Sequence, residues 1–599
     1  MSLSVALQNA LSGLQANESI IQVISNNVTN ANTEGYTRKA AVPVSRTLDA
    51  QGRGVEIGNI ARVVDERLLT DLRRNLASLG DARAQDFYYR RILDQFGTLS
   101  SNSSLTAGLT DLATNLQNMA ATPESTTHRA EVVTAAVALA QQLNAMSTQV
   151  QTLRFDADKE ITSKIDLFNG ELEKIADLNR KIEAAQAVGD PTAELEDFRD
   201  QAINKISELI DVRYFKRKSG EIVVTLPDGK VLADKKANRL SHTAAGALSA
   251  DISYPGKGIT AILSGGTDVT LSIASGELKG LIEVRDTILP NLQAELDLLT
   301  QTLRDELNAL HNAGTGRPPP NTLTGTRTFA APSTDTITLS GATRIAAVDA
   351  NGNFVAHFDL AAGTYTIQQI ESQIDTNLSG FATASTSLGG PLSISATNSA
   401  NGIAVVDLGA QTVTHVNGAK FSGFSNYFGL NDLFVTPGRI QGDPNPGLAA
   451  LIQVRSDIVS DPARLSRGTL SAVTTPAPKA GDPAIAAGDA SIAQALADKF
   501  IENLQFTAAG NLAITTTTLA GYASDILSTN AVGAAVAEKA MSFREALSQE
   551  LSFRTQEVSG VNIDEELRNL VLYENAYGAT ARIVQVVDDL FELLINIGR

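Results

Sequence analysis

Residues 26–39 read NNVTNANTEGYTRK. Asparagines crowd the first half, a Gly-Tyr pair follows, and Arg38 is the first basic residue of the chain. Upstream, Leu3, Leu7, Ala10, Leu14, Ile21, Ile24 and Val28 recur at steps of four and three, with Asn17 as the interruption. That spacing predicts a helix with a heptad-like seam. Val5, Leu11, Ile20 and Val23 lie off the seam, so the helix is apolar on more than one face and expects several neighbours. Asn26, Asn27, Asn30, Asn32 and Gly35 then stop it. Asn and Gly accept the left-handed backbone that ends helices, and Asn side chains build local turns. Tyr36 is expected to pack back beside the helix it leaves.

The far end of the chain mirrors this pattern. Ile563, Leu567, Leu570, Tyr577, Ala581, Val584, Phe591 and Ile595 keep the four-three spacing, with Glu574 and Asp588 at the polar exceptions. Asn562 is a helix cap, Glu565 stands three residues on, and the acidic turn Asp564-Glu565-Glu566 suits a helix start. Isolated helices are marginal in water. The two seams are therefore expected to pair with each other and with neighbouring subunits. The alternative is an ordinary helical hairpin inside a globular core.

Between the ends, residues 63–210 read mostly as helix, with Ile161, Ile165, Phe168, Leu172, Ile175, Leu178 and Ile182 in one stripe. Residues 211–234 alternate, and turns at Ser219-Gly220 and Asp228-Gly229 predict a small antiparallel meander. Its basic residues (Arg213, Lys216, Arg217, Lys218, Lys230, Lys235, Lys236, Arg239) read as a solvated surface, with a contact to an acidic neighbour as the alternative. Another helix spans 278–310 and is ended by Arg317-Pro318-Pro319-Pro320. Residues 321–439 are rich in Thr, Ser and Gly with short alternating runs, which suggests a β-rich insertion. Residues 472–489 read as a connector and 530–557 as helix again.

The expected architecture is α+β, a nested hairpin. Residues 1–62 with 556–599 form a paired terminal α-helical coiled coil. Residues 63–320 with 440–555 form a helical-bundle shaft that carries the meander 211–234. Residues 321–439 form a β-rich outer domain.

Composition limits the function. A chain of 599 residues exceeds one hydrophobic core. Its net charge of −18 argues against binding nucleic acid through phosphate neutralisation. It has no cysteine, hence no disulfide, thiol nucleophile or thiolate metal site. No apolar run reaches the ~18 residues of a membrane span, so no membrane partner is expected. The basic start of a cleavable signal peptide is missing, which fits either a cytoplasmic protein or one exported without a cleaved signal.

No catalytic constellation emerges. The histidines (His128, His242, His311, His357, His415) are too far apart in sequence for a metal-binding helix motif. GRGVEIG at 52–58 is a poor dinucleotide fingerprint and reads as a turn. DANGN at 349–353 lacks the glycine and the bidentate glutamate of a calcium loop, with Phe354 and Leu360 in their places, and its Asn-Gly reads as a hairpin turn. No catalytic residue, cofactor or metal is expected.

The helix running into NNVTNANTEGYTR resembles the N-terminal signature of the flagellar axial family of rod, hook and hook-associated proteins. SGVNIDEELRNLVLYENAYGATARIVQVVDDLFELLINIGR, at the C-terminus, looks like the matching end of that family. LEDFRDQAINKISELIDVR (195–213) and FSGFSNYFGLNDLF (421–434) are similar to its hook-associated branch. Residues 321–419 match nothing we can place. The resemblance implies a non-enzymatic structural subunit at the hook–filament junction of a bacterial flagellum, built by helical self-assembly and exported by the flagellar type III route. It implies as partners further copies of the chain, the flagellar hook protein, hook-associated protein 3 and a flagellar export chaperone. The seams and the 26–36 turn would carry that function. Rival readings are another axial member, such as hook protein or hook-associated protein 3, and a non-enzymatic surface adhesin.

Overall fold

The computed structural model describes residues 3–48, 51–96, 104–256, 258–440 and 446–597. Its composition is mixed, 53% helix and 19% strand.

Helix α1 runs Leu3–Thr29. The Asn-rich stretch ends it in successive turns: the Asn30 amide donates to Asn26, Thr33 to Asn30 and Tyr36 to Thr33. Gly35 takes a positive φ of 75°, the left-handed backbone such a stop requires.

Strands β1 (Lys39–Leu48) and β2 (Gln51–Arg62) follow as an antiparallel pair beside α1. This corrects the reading of 52–58 as a turn. The alternation Val55, Ile57 and then Ile60 extends a strand, and Gly54 serves close approach instead. Gly54 has φ 100°, and a Cβ there would lie 1.9 Å from the Ser12 hydroxyl oxygen. The Ser12 hydroxyl in turn accepts the Val55 amide at 3.1 Å.

Helices α2 (Glu66–Phe96), α3 (Leu105–Ala121), α4 (Thr126–Val188) and α5 (Ala193–Leu209) follow. The 63 residues of α4 make it about 95 Å long at 1.5 Å per residue. It starts at a Ser125 cap and stops at left-handed Gly189. Ile161, Ile165, Phe168, Leu172, Ile175 and Ile182 on it are buried and Leu178 is half-buried. Strands β3 (Arg213–Lys216), β4 (Ile222–Thr225) and β5 (Val231–Ala233) form a small antiparallel sheet. Much of its basic charge is paired within the chain: Lys216 with Glu196, Arg217 with Glu221, Lys235 with Glu183 and Arg239 with Glu173.

A helical stretch from Glu277 passes through one π-helical segment, Val284–Ile288, into α6 (Leu289–Asn312). Residues 322–422 fold into three antiparallel sheets and one helix, Ile367–Asn377, around their own apolar core. The Asn351-Gly352 turn joins two of the strands there, with Gly352 at φ 82°. Further along come the long helices α7 (Leu519–Ser559) and α8 (Ile563–Ile597). Helix α7 lies antiparallel on α2, as the Asn75–Arg544 and Arg90–Glu538 contacts require.

Candidate assembly interface

Helices α1 and α8 lie antiparallel: Asn27 meets Glu566, and Gly13 faces Thr580. Asn562 caps α8, its side-chain oxygen accepting the amides of Asp564 and Glu565 at 3.1 and 3.2 Å.

On α1, the seam residues Ala10 and Ile24 are buried, while Leu3, Leu7, Leu14, Ile21 and Val28 are half-buried. Ile20 and Val23, off the seam, are also buried, so the packed face is broader than the seam. On α8, Leu570, Ala581, Val584 and Phe591 are half-buried, whereas Ile563, Leu567, Tyr577 and Ile595 are exposed. Val587, which the seam omitted, is its one buried apolar residue among the described side chains. A second apolar face remains open. Leu572, Ala579, Ile583, Val586, Leu590 and Leu593 also step by sevens, fours and threes, and all are exposed, Leu572 by 61% and Leu590 by 46%. Helical spacing alone could have found this face, but it could not rank the two.

The 26–36 turn is the root of this pair and holds a polar cluster the seams did not foretell. The Asn27 amide nitrogen donates to the Lys39 carbonyl at 2.8 Å and to the Glu566 carboxylate at 3.0 Å. Its oxygen accepts the Lys39 amide at 3.0 Å and the Tyr36 hydroxyl at 2.9 Å. All four positions of one buried amide are therefore satisfied. Glu566 also accepts Arg38 Nε at 2.7 Å, and Glu565 accepts the other side of that guanidinium at 2.9 Å. Tyr36 lies under the Lys39 ammonium, 3.4 Å from its ring centre. Burial, with help from Asp197, pushes its hydroxyl up to about 12. Asn26, Asn32 and Gly35 are exposed, and Asn30 makes only local turn contacts.

The cluster continues into α5, where LEDFRD supplies the acceptors. Asp197 accepts the Thr37 hydroxyl at 2.6 Å, Lys39 Nζ at 3.0 Å and Arg62 at 3.0 Å. Asp200 accepts Arg62 at 2.6 Å and Arg73 at 2.8 Å. Burial would raise the Asp200 carboxyl, but Arg73 and Arg62 outweigh it and hold it below the usual carboxylate range. Glu196, Asp197 and Asp200 thus tie the chain's N-terminal part to α5.

The other inner stretch, 421–434, forms a second joint, packed against α6. Asn308 accepts the amides of Leu433 and Phe434, both at 2.9 Å, and donates to the Phe434 carbonyl at 2.7 Å. Asn312 accepts the Asn431 amide and donates to Asp432. His311 is fully buried: Nδ1 faces the Asn431 carbonyl, and Nε2 accepts the Ser466 amide at 2.9 Å. Only the neutral ring with its proton on Nδ1 satisfies both partners. Burial accordingly lowers this histidine to about 4.

Among the described residues no cluster of His, Asp and Glu is placed to hold a metal ion, and no helix is long and apolar enough to cross a membrane.

Comparison with known proteins follows the same segments. The flagellar hook-associated protein FlgK helical domain matches residues 91–329. The flagella basal body rod protein family matches 7–37, and the C-terminal family of flagellar basal body rod FlgEFG proteins matches 555–597. Flagellar hook-associated protein 1 of Escherichia coli K12 is 25% identical over 617 residues, covering 99% of this chain and all of that protein. Its namesake in Bacillus subtilis is 24% identical over 346 residues, covering 52% of this chain and 67% of that one. The solved structure of the hook junction protein FlgK from Burkholderia pseudomallei aligns with a TM-score of 0.47 at 17% identity, covering 82% of this chain and all of that one.

Proposed function

The chain belongs to the flagellar hook-associated protein 1 family, structural subunits of the bacterial flagellum at the hook–filament junction, and we propose how its ends and joints serve that role. The terminal pair α1/α8 is the self-assembling part. Copies pack side by side through it, as a nested hairpin with coiled-coil contacts between subunits, and the shaft stands outside them with residues 321–439 facing solvent. The hook protein lies on one side of such a ring and hook-associated protein 3 on the other. Export runs through the flagellar type III route without a cleaved signal, with a flagellar chaperone covering α8 beforehand.

One observation carries this reading: α8 leaves a continuous apolar face open after α1 has taken its own. A helix that is apolar all round belongs in a multi-helix environment. Contacts that repeat head to tail without closing on a pair generate helical assemblies. The match of the helical domain over 91–329 favours this branch over hook protein and hook-associated protein 3. The test is Ile583→Glu with Leu590→Glu in the full chain. The double variant should be exported and folded, yet fail to join hooks to filaments, leaving cells with bare hooks in electron micrographs. Normal junctions would overturn the reading.

A further inference from the structure

Two apolar faces on one helix raise a question of choice. Leu570, Val584, Val587 and Phe591 lie towards α1, while Leu572, Ile583 and Leu590 on the other side of α8 have much the same character and spacing. Apolar packing is non-directional, and it scarcely separates two such faces or a slip of one heptad. Something polar has to decide, as a single buried asparagine fixes register in a coiled coil.

The root cluster has the required properties. Glu566 is the one buried charged residue of α8, and it lies on the α1 side. It closes the Asn27 amide and the Arg38 guanidinium in a single carboxylate. Both residues are anchored outside α8: the Asn27 side chain pairs with both backbone groups of Lys39, and the Arg38 backbone amide donates a hydrogen bond to the Ser559 carbonyl. They therefore form a fixed socket. Rotating α8 to its other face, or sliding it by a heptad, would carry Glu566 out of the socket and leave a buried amide donor and a cation unmatched.

We propose that Glu566 is a register lock: it selects which face of α8 lies on α1, and thereby which face is left for the next subunit. The proposal rests on the assembly reading for its purpose, but the lock itself is a property of the single chain. It makes Glu566 a positioning residue, with Asn27 and Arg38 as its socket.

The chain has no cysteine, so engineered pairs report on register directly. A Cβ at Gly13 would lie 3.4 Å from the Thr580 methyl. The pair Gly13→Cys/Thr580→Cys therefore reads the locked face. Gly13→Cys/Ala579→Cys reads the other one, because one residue turns a helix by about 100°. Oxidation is followed in the free full-length chain, with amide protection of α4 as the folding control. In the parent chain the first pair should close at least about tenfold faster than the second. Glu566→Ala should bring that ratio below about threefold. Glu566→Gln, which keeps an acceptor for Asn27 but not the charge for Arg38, should fall between. A parent ratio under about tenfold, or a ratio in Glu566→Ala that stays above about threefold, overturns the lock. Register is read before any assembly. A chain that loses it and still builds normal junctions would count against the assembly reading and leave the lock standing.

Discussion

The two polar joints of this molecule solve the same problem with different chemistry. The inner joint, where the terminal segments meet α5, is built of charges: Arg38, Lys39, Arg62 and Arg73 against Glu196, Asp197, Asp200, Glu565 and Glu566. The outer joint, where α6 meets residues 425–434, is built mainly of neutral groups: Asn308, His311, Asn312, Asn431, Ser425 and Ser466. The packing around them differs too. Leu433, Phe434 and Leu465 beside the outer joint have no exposed surface, whereas α8 beside the inner one is mostly exposed. A charge pair recovers hydration when it opens, so it suits a contact between bodies that come together late. Neutral amides regain far less from hydration than charges do, and they suit a joint made once, during folding. Three perturbations test whether that difference holds.

The largest effect is expected from Asn308→Ala at the outer joint. One side chain there satisfies two amides and one carbonyl of residues 433 and 434. Leaving three buried backbone groups unpaired should cost roughly 4 kcal/mol. Denaturant unfolding of the full chain should register that loss, with a fall in protection of residues 425–436. A loss below about 1 kcal/mol would show that the joint tolerates exposure as the inner one does.

Next comes acid. His311 has a folded value near 4 against an ordinary 6.5. Above the upper figure neither state carries the proton. Between the two figures the unfolded chain takes up a proton that the folded chain refuses, so stability falls as pH drops through that window, by on the order of 3 kcal/mol. Asp432 beside it acts in the opposite sense, because burial raises its carboxyl. The comparison of the parent with His311→Gln cancels that contribution. The difference in stability between the two should shrink steadily from pH 7 to pH 4, and a difference independent of pH would remove the neutral-joint argument.

How far these joints could be read from the sequence follows from their physics. Periodicity gave α1, α8 and the buried stripe of α4, because burial of one face is what the 3.6-residue repeat encodes. Asn562 announced the start of α8, since its cap uses residues two and three positions on. The β1/β2 pair escaped notice because Pro43 and the glycines at 52, 54 and 58 interrupt its alternation. The reason for Gly54 lies in Ser12, on another element. The acceptors on α5 were visible as residues but not as a site. Glu196, Asp197 and Asp200 at this spacing look like any solvated helix face, and only the fold brings Lys39 and Arg62 onto them. His311 was likewise one of several scattered histidines, and its role depends on Asn431 and Ser466, more than a hundred residues further along the chain.

The smallest of the three effects is expected at the inner joint, from Arg62→Ala. Arg62 reaches Glu196, Asp197 and Asp200 at 3.5, 3.0 and 2.6 Å, and its side chain is only 6% exposed. Removing one partner of a buried pair commonly costs 3–5 kcal/mol, as an order of magnitude, when the other charge is left alone. Here the carboxylates are not left alone: Lys39 still reaches Asp197, and Arg73 still reaches Asp200. The cost should therefore be about 2 kcal/mol, half that of Asn308→Ala although charged groups are involved. It should also be local. Amide exchange should rise in β1 and β2, and α4 and residues 322–422 should be unaffected. If Arg62→Ala instead lowered the stability of the whole chain as much as Asn308→Ala does, the two joints would be energetically alike. The division between a contact made late and one made at folding would then have no basis.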